Sequence, residues 1–205
     1  MVEVGAIVLA AGRSARYCAA GGREASKLIA PLGGKPLVRR VVEAALGSRA
    51  RPAVVVTGHA RAEVEAALAD LPVVFARNEN FAAGLASSLR VGLAALPSGV
   101  AGALVLLADM PGVEAALIDR LIAAFAAEPA ALAVVPSRGG RRGNPALLSR
   151  ALFPALTRLE GDEGARRLLD QADRASIVAV EVEDDGAAFD VDTPADLARA
   201  RNLPP

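Results

Sequence analysis

The residues in this chain best suited to chemistry gather where its first apolar run ends. Val4 to Leu9 breaks into Ala10-Ala11-Gly12-Arg13-Ser14-Ala15-Arg16, and Lys27 follows. Small side chains at 10 to 12 let backbone N–H groups approach an anion closely, while Arg13, Arg16 and Lys27 bring positive charge to the same place. Of the 23 Lys and Arg residues only Lys27 and Lys35 are lysines, and a compact point charge suits a phosphate. The implied ligand is a nucleotide. Neither common phosphate-loop fingerprint is present, since Gly34-Lys35 is followed by Pro36 and Gly12 is the only glycine between Gly5 and Gly21. An ordinary strand-to-loop turn would account for the small residues equally well.

Acidic residues offer the complement. Asp109 is the only ionisable group at the end of the most hydrophobic stretch, Val100 to Ala108. A carboxylate there is costly to desolvate without a positive partner, and Mg²⁺ bridging substrate phosphates would be one. The other reading of Asp109 is an N-cap for a helix starting near Val113. Asp190 and Asp192 lie two apart in Phe189-Asp190-Val191-Asp192-Thr193-Pro194, so an extended segment puts both on one face, and one of them could complete a metal site with Asp109. Asp192 or Thr193 before Pro194 also suits a helix start.

Other strand ends carry polar signals: Thr57-Gly58-His59, and Asn78 to Asn80. A helix beginning near Gly84 would present free N–H groups with Ser87 and Ser88, either to a ribose or phosphate or simply as a capped surface helix. His59 is the sole histidine and is expected to shape or cap a turn, so no Ser-His-Asp or Cys-His set is expected. Cys18 reads as an incidental thiol. Asp162 is expected to cap a helix whose Arg166 and Arg167 face an anionic substrate or solvent.

Something must hold these groups together, and the pattern predicts what. Short β-rich runs alternate with Ala/Leu/Arg segments of helical period, which argues for an α/β fold with a mainly parallel sheet between helical layers. Strands are predicted at 3–9, 53–57, 72–76, 102–108, 132–136 and 176–182, and helices at 36–47, 60–69, 85–95, 114–127, 148–157, 163–171 and 194–201. Gly139 to Pro145 reads as a loop near the substrate end or a hairpin turn. Ligands in such sheets bind at the carboxyl ends of the strands, where the polar signals fall.

Composition bounds the function. The 205 residues fit one domain, 1–205, able to bury roughly 70 % of its unfolded surface. Twenty-three acidic against 23 basic residues leave no net field for nucleic acid or membrane, and 3 % aromatics with no Trp leave few stacking platforms. One cysteine rules out an internal disulfide and suits a reducing compartment. No leader or spanning segment is expected, so the expected location is the cytoplasm.

Taken in order, Leu9-Ala10-Ala11-Gly12-Arg13-Ser14-x-Arg16, Lys27, Pro31 to Leu37, Thr57-Gly58-His59, Gly84 to Leu89, Asp109-Met110-Pro111, Gly161-Asp162-x-Gly164-Ala165-Arg166 and Asp190-x-Asp192-Thr193-Pro194-x-Asp196-Leu197 resemble the molybdopterin nucleotidyltransferases, most closely their CTP-dependent branch. The match spans nearly the whole chain. It implies a Rossmann-like nucleotidyltransferase fold and Mg²⁺-dependent transfer of CMP from CTP to the terminal phosphate of molybdopterin, releasing pyrophosphate, with a molybdoenzyme as a recipient partner. By that resemblance Leu9 to Gly12, Thr57, Gly58, Asn78, Gly84, Ser87 and Ser88 contact the nucleotide. Arg13 and Lys27 serve its triphosphate, Asp109 and Asp192 the metal, and Asn144, Asp162, Arg166 and Asp190 the acceptor. Ala11 favours CTP over GTP. Tyr17 stands where Met or Phe is usual, Asn144 where His is common, and the interval from Arg16 to Lys27 is longer than typical. Guanylyl transfer, a sugar or alditol phosphate acceptor, or a binding and delivery module without turnover are the competing readings.

Overall fold

A computed structural model describes residues 2–183 and 189–201. Strand β1 (Val4–Ala10) is buried throughout, and helix α1 (Ala15–Ala19) follows. After a small hairpin, β2 (Pro31–Leu32) and β3 (Lys35–Pro36), come α2 (Leu37–Gly47), β4 (Ala53–Thr57), α3 (Arg61–Ala67), β5 (Val74–Arg77), α4 (Leu85–Ala94), β6 (Gly102–Leu107) and α5 (Ala115–Ala127). The remainder supplies β7 (Ala133–Arg138), β8 (Arg141–Arg142), β9 (Ala146–Ser149), α6 (Phe153–Leu156), α7 (Ala165–Gln171), β10 (Ile177–Glu181) and α8 (Pro194–Ala200).

The strands form one sheet in the order β10-β7-β9-β6-β1-β4-β5, with β8 on β7. β6, β1, β4 and β5 run parallel, as do β7 and β10, whereas β9 lies antiparallel between β6 and β7. Continuous apolar runs such as Ala53-Val54-Val55-Val56 of β4, a strand buried at every position, are what cover on both faces requires. The cover is helical. Val38, Val41, Val42 and Ala45 of α2, Val64 of α3 and Ile118, Leu121, Ile122 and Phe125 of α5 pack on one face. Ala86, Leu89 and Leu93 of α4, Leu156 of α6 and Leu169 of α7 pack on the other. On α2 those positions recur at the three-to-four-residue spacing of a single helical stripe. A third cluster, Tyr17, Ala30, Leu32, Leu37, Val191, Leu197 and Ala200, joins the segments around the first loop to the end of the described chain.

The helix predicted over 148–157 is corrected. Ala146, Leu147 and Leu148 are buried in β9, and helical structure begins only with a 3-10 turn at Arg150–Leu152 and then α6, with Pro154 in its first turn. The strand is short and apolar, so its period is too brief to be told from the helix that follows. The 139–145 segment is a hairpin: Gly139 and Gly140, with φ of +55° and +78°, make the two-residue turn between β7 and β8.

Candidate active site

The carboxyl edge of the parallel strands collects the charged residues. Leu9 pairs with Leu107 in register and Ala10 with Thr57, so Asp109, two residues beyond β6, emerges beside the loop that leaves β1. The backbone of Asp109 accepts a hydrogen bond from Val191 N–H at 2.9 Å. Val191 is fully buried in the third cluster with Phe189 packed against it, which turns Asp192 toward Asp109. Hydrophobic alternation therefore docks the segment, and the hydrogen bond fixes its register.

Lys27 stands between the two carboxylates. Its Nζ lies 2.7 Å from Asp109 Oδ2 and 2.9 Å from Asp192 Oδ1, with 12 % of the side chain exposed. Arg16 pairs with the other oxygen of Asp192. Burial alone would lower the lysine pKa, but attraction and hydrogen bonds from Asp109 and Asp192 outweigh it, and the ammonium is held above the ordinary lysine range. Asp109 Oδ1 is buried with no hydrogen-bond partner among the described residues. Asp109 is not a helix cap, since α5 begins at Ala115 after Glu114. Nor is Asp192, because Thr193 caps α8 in a reciprocal pair with Asp196. Freed from capping, both carboxylates face the lysine. Asp190 is exposed and lies outside this pair.

The lysine is positioned by Ser14 of the motif and by Ser26, which the motif did not single out. Fully buried Ser26 accepts a hydrogen bond from Leu28 N–H at 3.2 Å and lies 3.0 Å from the Ser14 hydroxyl. Ser14, at φ +54°, accepts from Lys27 N–H at 3.1 Å. The two hydroxyls clip the lysine turn to the signature loop. Gly12 is exposed, its φ is not positive, and a Cβ there would meet nothing within 4 Å. Arg13 is also exposed, its guanidinium 6.0 Å from the Phe81 ring. Lys35 does not join this set: it pairs with Glu43 at 2.7 Å.

Farther along the edge, polar residues satisfy one another. Asn78 donates to Ser87 Oγ at 2.8 Å and Ser88 Oγ at 3.0 Å and accepts from Asn80 N–H at 3.0 Å; Asn78, Ser87 and Ser88 are all buried. Thr57 donates to Glu65 at 3.0 Å. Beside them opens a cavity of about 410 Å³ lined by Thr57, Gly58, Arg61, Arg77, Asn78 and Glu79. Gly58 leaves no room for a Cβ between Ala11 and Phe81, and His59 N–H donates to the Ala11 carbonyl. His59 does not cap α3, whose N-cap is Ala60; its ring packs edge-on against Phe81, and Nδ1 is buried without a partner among the described residues.

Of the residues expected to meet the acceptor, Asn144 precedes β9, and exposed Asp162 and Arg166 lie just before and within α7. Asp162 is not the cap expected there. Gly161, at φ +56°, turns the chain so that its carbonyl accepts from Ala86 N–H at 3.0 Å, and the helix begins later with Gly164 as N-cap. Cys18 is exposed.

The pairing of two carboxylates with an orphaned oxygen fits a divalent cation that takes one or two protein carboxylates and completes its shell from phosphate and water. Among the described residues no group of three His, Cys, Asp or Glu side chains is placed to hold a metal. No helix among them is long and apolar enough to cross a membrane.

Comparison with known proteins agrees with this fold. A model of the MobA-like NTP transferase domain matches residues 6–176. The purine catabolism protein PucB of Bacillus subtilis (strain 168) is 32 % identical over 203 residues, covering 95 % of this chain and 94 % of PucB. The bifunctional protein GlmU of Kineococcus radiotolerans is 36 % identical over 136 residues, 65 % of this chain, which spans only 27 % of that protein. The crystal structure of Rv0371c from Mycobacterium tuberculosis superimposes with a TM-score of 0.83 at 28 % identity, covering 98 % of this chain and 99 % of that one. A manganese complex of the same protein matches at 0.80. The chain belongs to the MobA-like NTP transferase family and is a nucleotidyltransferase.

Proposed function

We propose that this MobA-like NTP transferase transfers CMP from CTP to the terminal phosphate of molybdopterin, releasing pyrophosphate, in a reaction that uses Mg²⁺. The observation that carries the reading is Lys27 held between Asp109 and Asp192 and tied through Ser14 to the loop that carries Gly12. Neither packing nor a positive φ demands glycine at 12, and its bare main chain is open to the approach of a ligand. Exposed Arg13 lies on the same loop, able to swing toward a triphosphate.

The acceptor supplies its own nucleophile. A phosphate monoester is largely ionised at neutral pH, so no general base is needed, which suits a site whose one histidine only shapes a turn. What the chain must provide is alignment and charge. Backbone N–H groups of Ala10 to Gly12 cradle the nucleotide phosphates, and Lys27 with Arg13 neutralises charge that builds as pyrophosphate departs. Asp109 and Asp192 would hold the cation. When bound, it offsets phosphate charge and orients the transferring group. Thr57, Gly58, Gly84 and Ala11 shape the nucleoside end, with the Asn78, Ser87 and Ser88 network as their support. Asn144, Asp162, Arg166 and Asp190 border the acceptor. The reaction is cytoplasmic, and a molybdoenzyme receives the product.

The test is pyrophosphate release with CTP, GTP, ATP and UTP, each with Mg²⁺ and with or without molybdopterin. Release confined to CTP with molybdopterin is expected. Release with GTP would transfer the reading to the guanylyl reaction; release only with a sugar or alditol phosphate would replace the acceptor. Tight nucleotide binding without release under any condition would leave a binding module.

A further inference from the structure

Building on the cation reading above, we propose that Lys27 is the resident counter-ion of the Asp109–Asp192 pair in the nucleotide-free protein, and that a divalent cation enters only as this lysine leaves. Three of the four carboxylate oxygens already have cationic partners: Lys27 holds Asp109 Oδ2 and Asp192 Oδ1, and Arg16 holds the remaining oxygen of Asp192. Asp109 Oδ1 alone of the four stands unpartnered among the described residues. A hard cation bound by both carboxylates could take the free Asp109 Oδ1, but at Asp192 it must displace Lys27 or Arg16, and at about 2 Å from oxygens whose carboxylates already hold the ammonium it would crowd a like charge.

The lysine has somewhere to go once nucleotide arrives. Its flexible stem can carry Nζ from carboxylate to phosphate while Ser14 and Ser26 keep its backbone fixed. Nucleotide thus frees the carboxylates, and cation occupancy is coupled to nucleotide occupancy. The free protein holds a cation weakly. A lysine that fills the site when it is idle also spares the two carboxylates from facing each other uncompensated.

Two measurements without nucleotide test this. Mn²⁺ titration followed by electron paramagnetic resonance should show Lys27→Met binding the ion roughly ten- to a hundredfold more tightly than wild type, the scale of one or two lost charge-assisted contacts. The double variant Lys27→Met/Asp109→Asn should lose that gain. In the wild-type protein, where Lys27 and Lys35 are the only lysines, amine labelling read by mass spectrometry should modify Lys27 more slowly than Lys35, whose side chain is 52 % exposed. Saturating Mn²⁺ should speed labelling of Lys27. Equal Mn²⁺ affinity in wild type and Lys27→Met, or Mn²⁺ occupancy with Lys27 labelling unchanged, overturns the proposal and leaves the cation site standing. Failure of Mn²⁺ to bind any of the three proteins overturns both.

Discussion

Two stretches of the same sheet edge treat their polar groups in opposite ways. At the flank beyond β4 and β5, Asn78, Ser87, Ser88 and Asn80 close a hydrogen-bonded circuit, and the turn at Gly161 seals the start of α4. At the centre, between β1 and β6, Asp109 keeps a buried oxygen without a donor among the described residues, and Gly12 keeps open space above its backbone. A polar residue after a strand is therefore not in itself a ligand contact. The Asn78, Ser87 and Ser88 circuit is complete without a ligand and acts as scaffold, whereas the centre is left short of partners in the way a site awaiting substrate would be.

Breaking the centre should remove chemistry and spare the fold. Asp109→Ala is expected to lower turnover by at least roughly a hundredfold, the scale of losing one main electrostatic group, with the circular dichroism spectrum unchanged. A near-wild-type rate of pyrophosphate release in that variant would refute the assignment of Asp109 to the cation.

Disrupting the flank should cost stability first. Gly84 sits at φ +96°, and a Cβ there would run into the backbone of Gly161. Gly84→Ala should cost about 3 kcal/mol in denaturant unfolding, from a Gly-only conformation together with the clash. A cost below about 1 kcal/mol would show that α4 and the turn at Gly161 part easily, and the contrast between the two regions would fade.

Gly12→Ala probes the same contrast more finely, since it places the same methyl group in open space. Stability should move by less than about 0.5 kcal/mol, as for an unstrained surface change, while the KM for nucleotide rises several-fold. A large loss of stability with KM unchanged would make Gly12 a structural glycine like Gly84.

A last effect, confined to high pH, belongs to the third cluster. Tyr17 is buried and donates to Glu24 at 2.5 Å; burial first, and that hydrogen bond second, push its pKa up to about 12 from the ordinary 10. Because the fold favours the neutral phenol, this contribution to stability is complete below pH 10 and is lost as pH rises through about 12. It is the only tyrosine in the chain, so an ultraviolet phenolate titration reports on it alone. A midpoint near 10 in the folded protein would mean that the contact is absent in solution.

Much of this was visible in residue order. The alternating strand and helix pattern, the apolar run into Ala10-Ala11-Gly12, the solitary carboxylate after β6 and the spacing of Asp190 and Asp192 all rest on local periodicity, which neighbouring residues impose on one another. The two capping alternatives for Asp109 and Asp192 stayed open because capping depends on where a helix starts, and start positions shift by a residue or two with tertiary packing. Strand β9 escaped notice because four residues show too little period. The roles of Ser26 and Phe81 did too, since serine and phenylalanine carry no signal of function until their neighbours are known.

Residue types and their order were enough for the fold class, the small-residue loop and the charges available to it, because those follow from side-chain size, polarity and spacing along a short stretch. Which charges meet was decided in the folded chain. Lys27 and Asp192 are 165 residues apart yet 2.9 Å from one another. What joins them is the pairing of Leu9 with Leu107, the bond from Val191 to the Asp109 backbone, and the burial of Val191. Each is a long-range contact selected by packing over the whole sheet, and no local pattern encodes it.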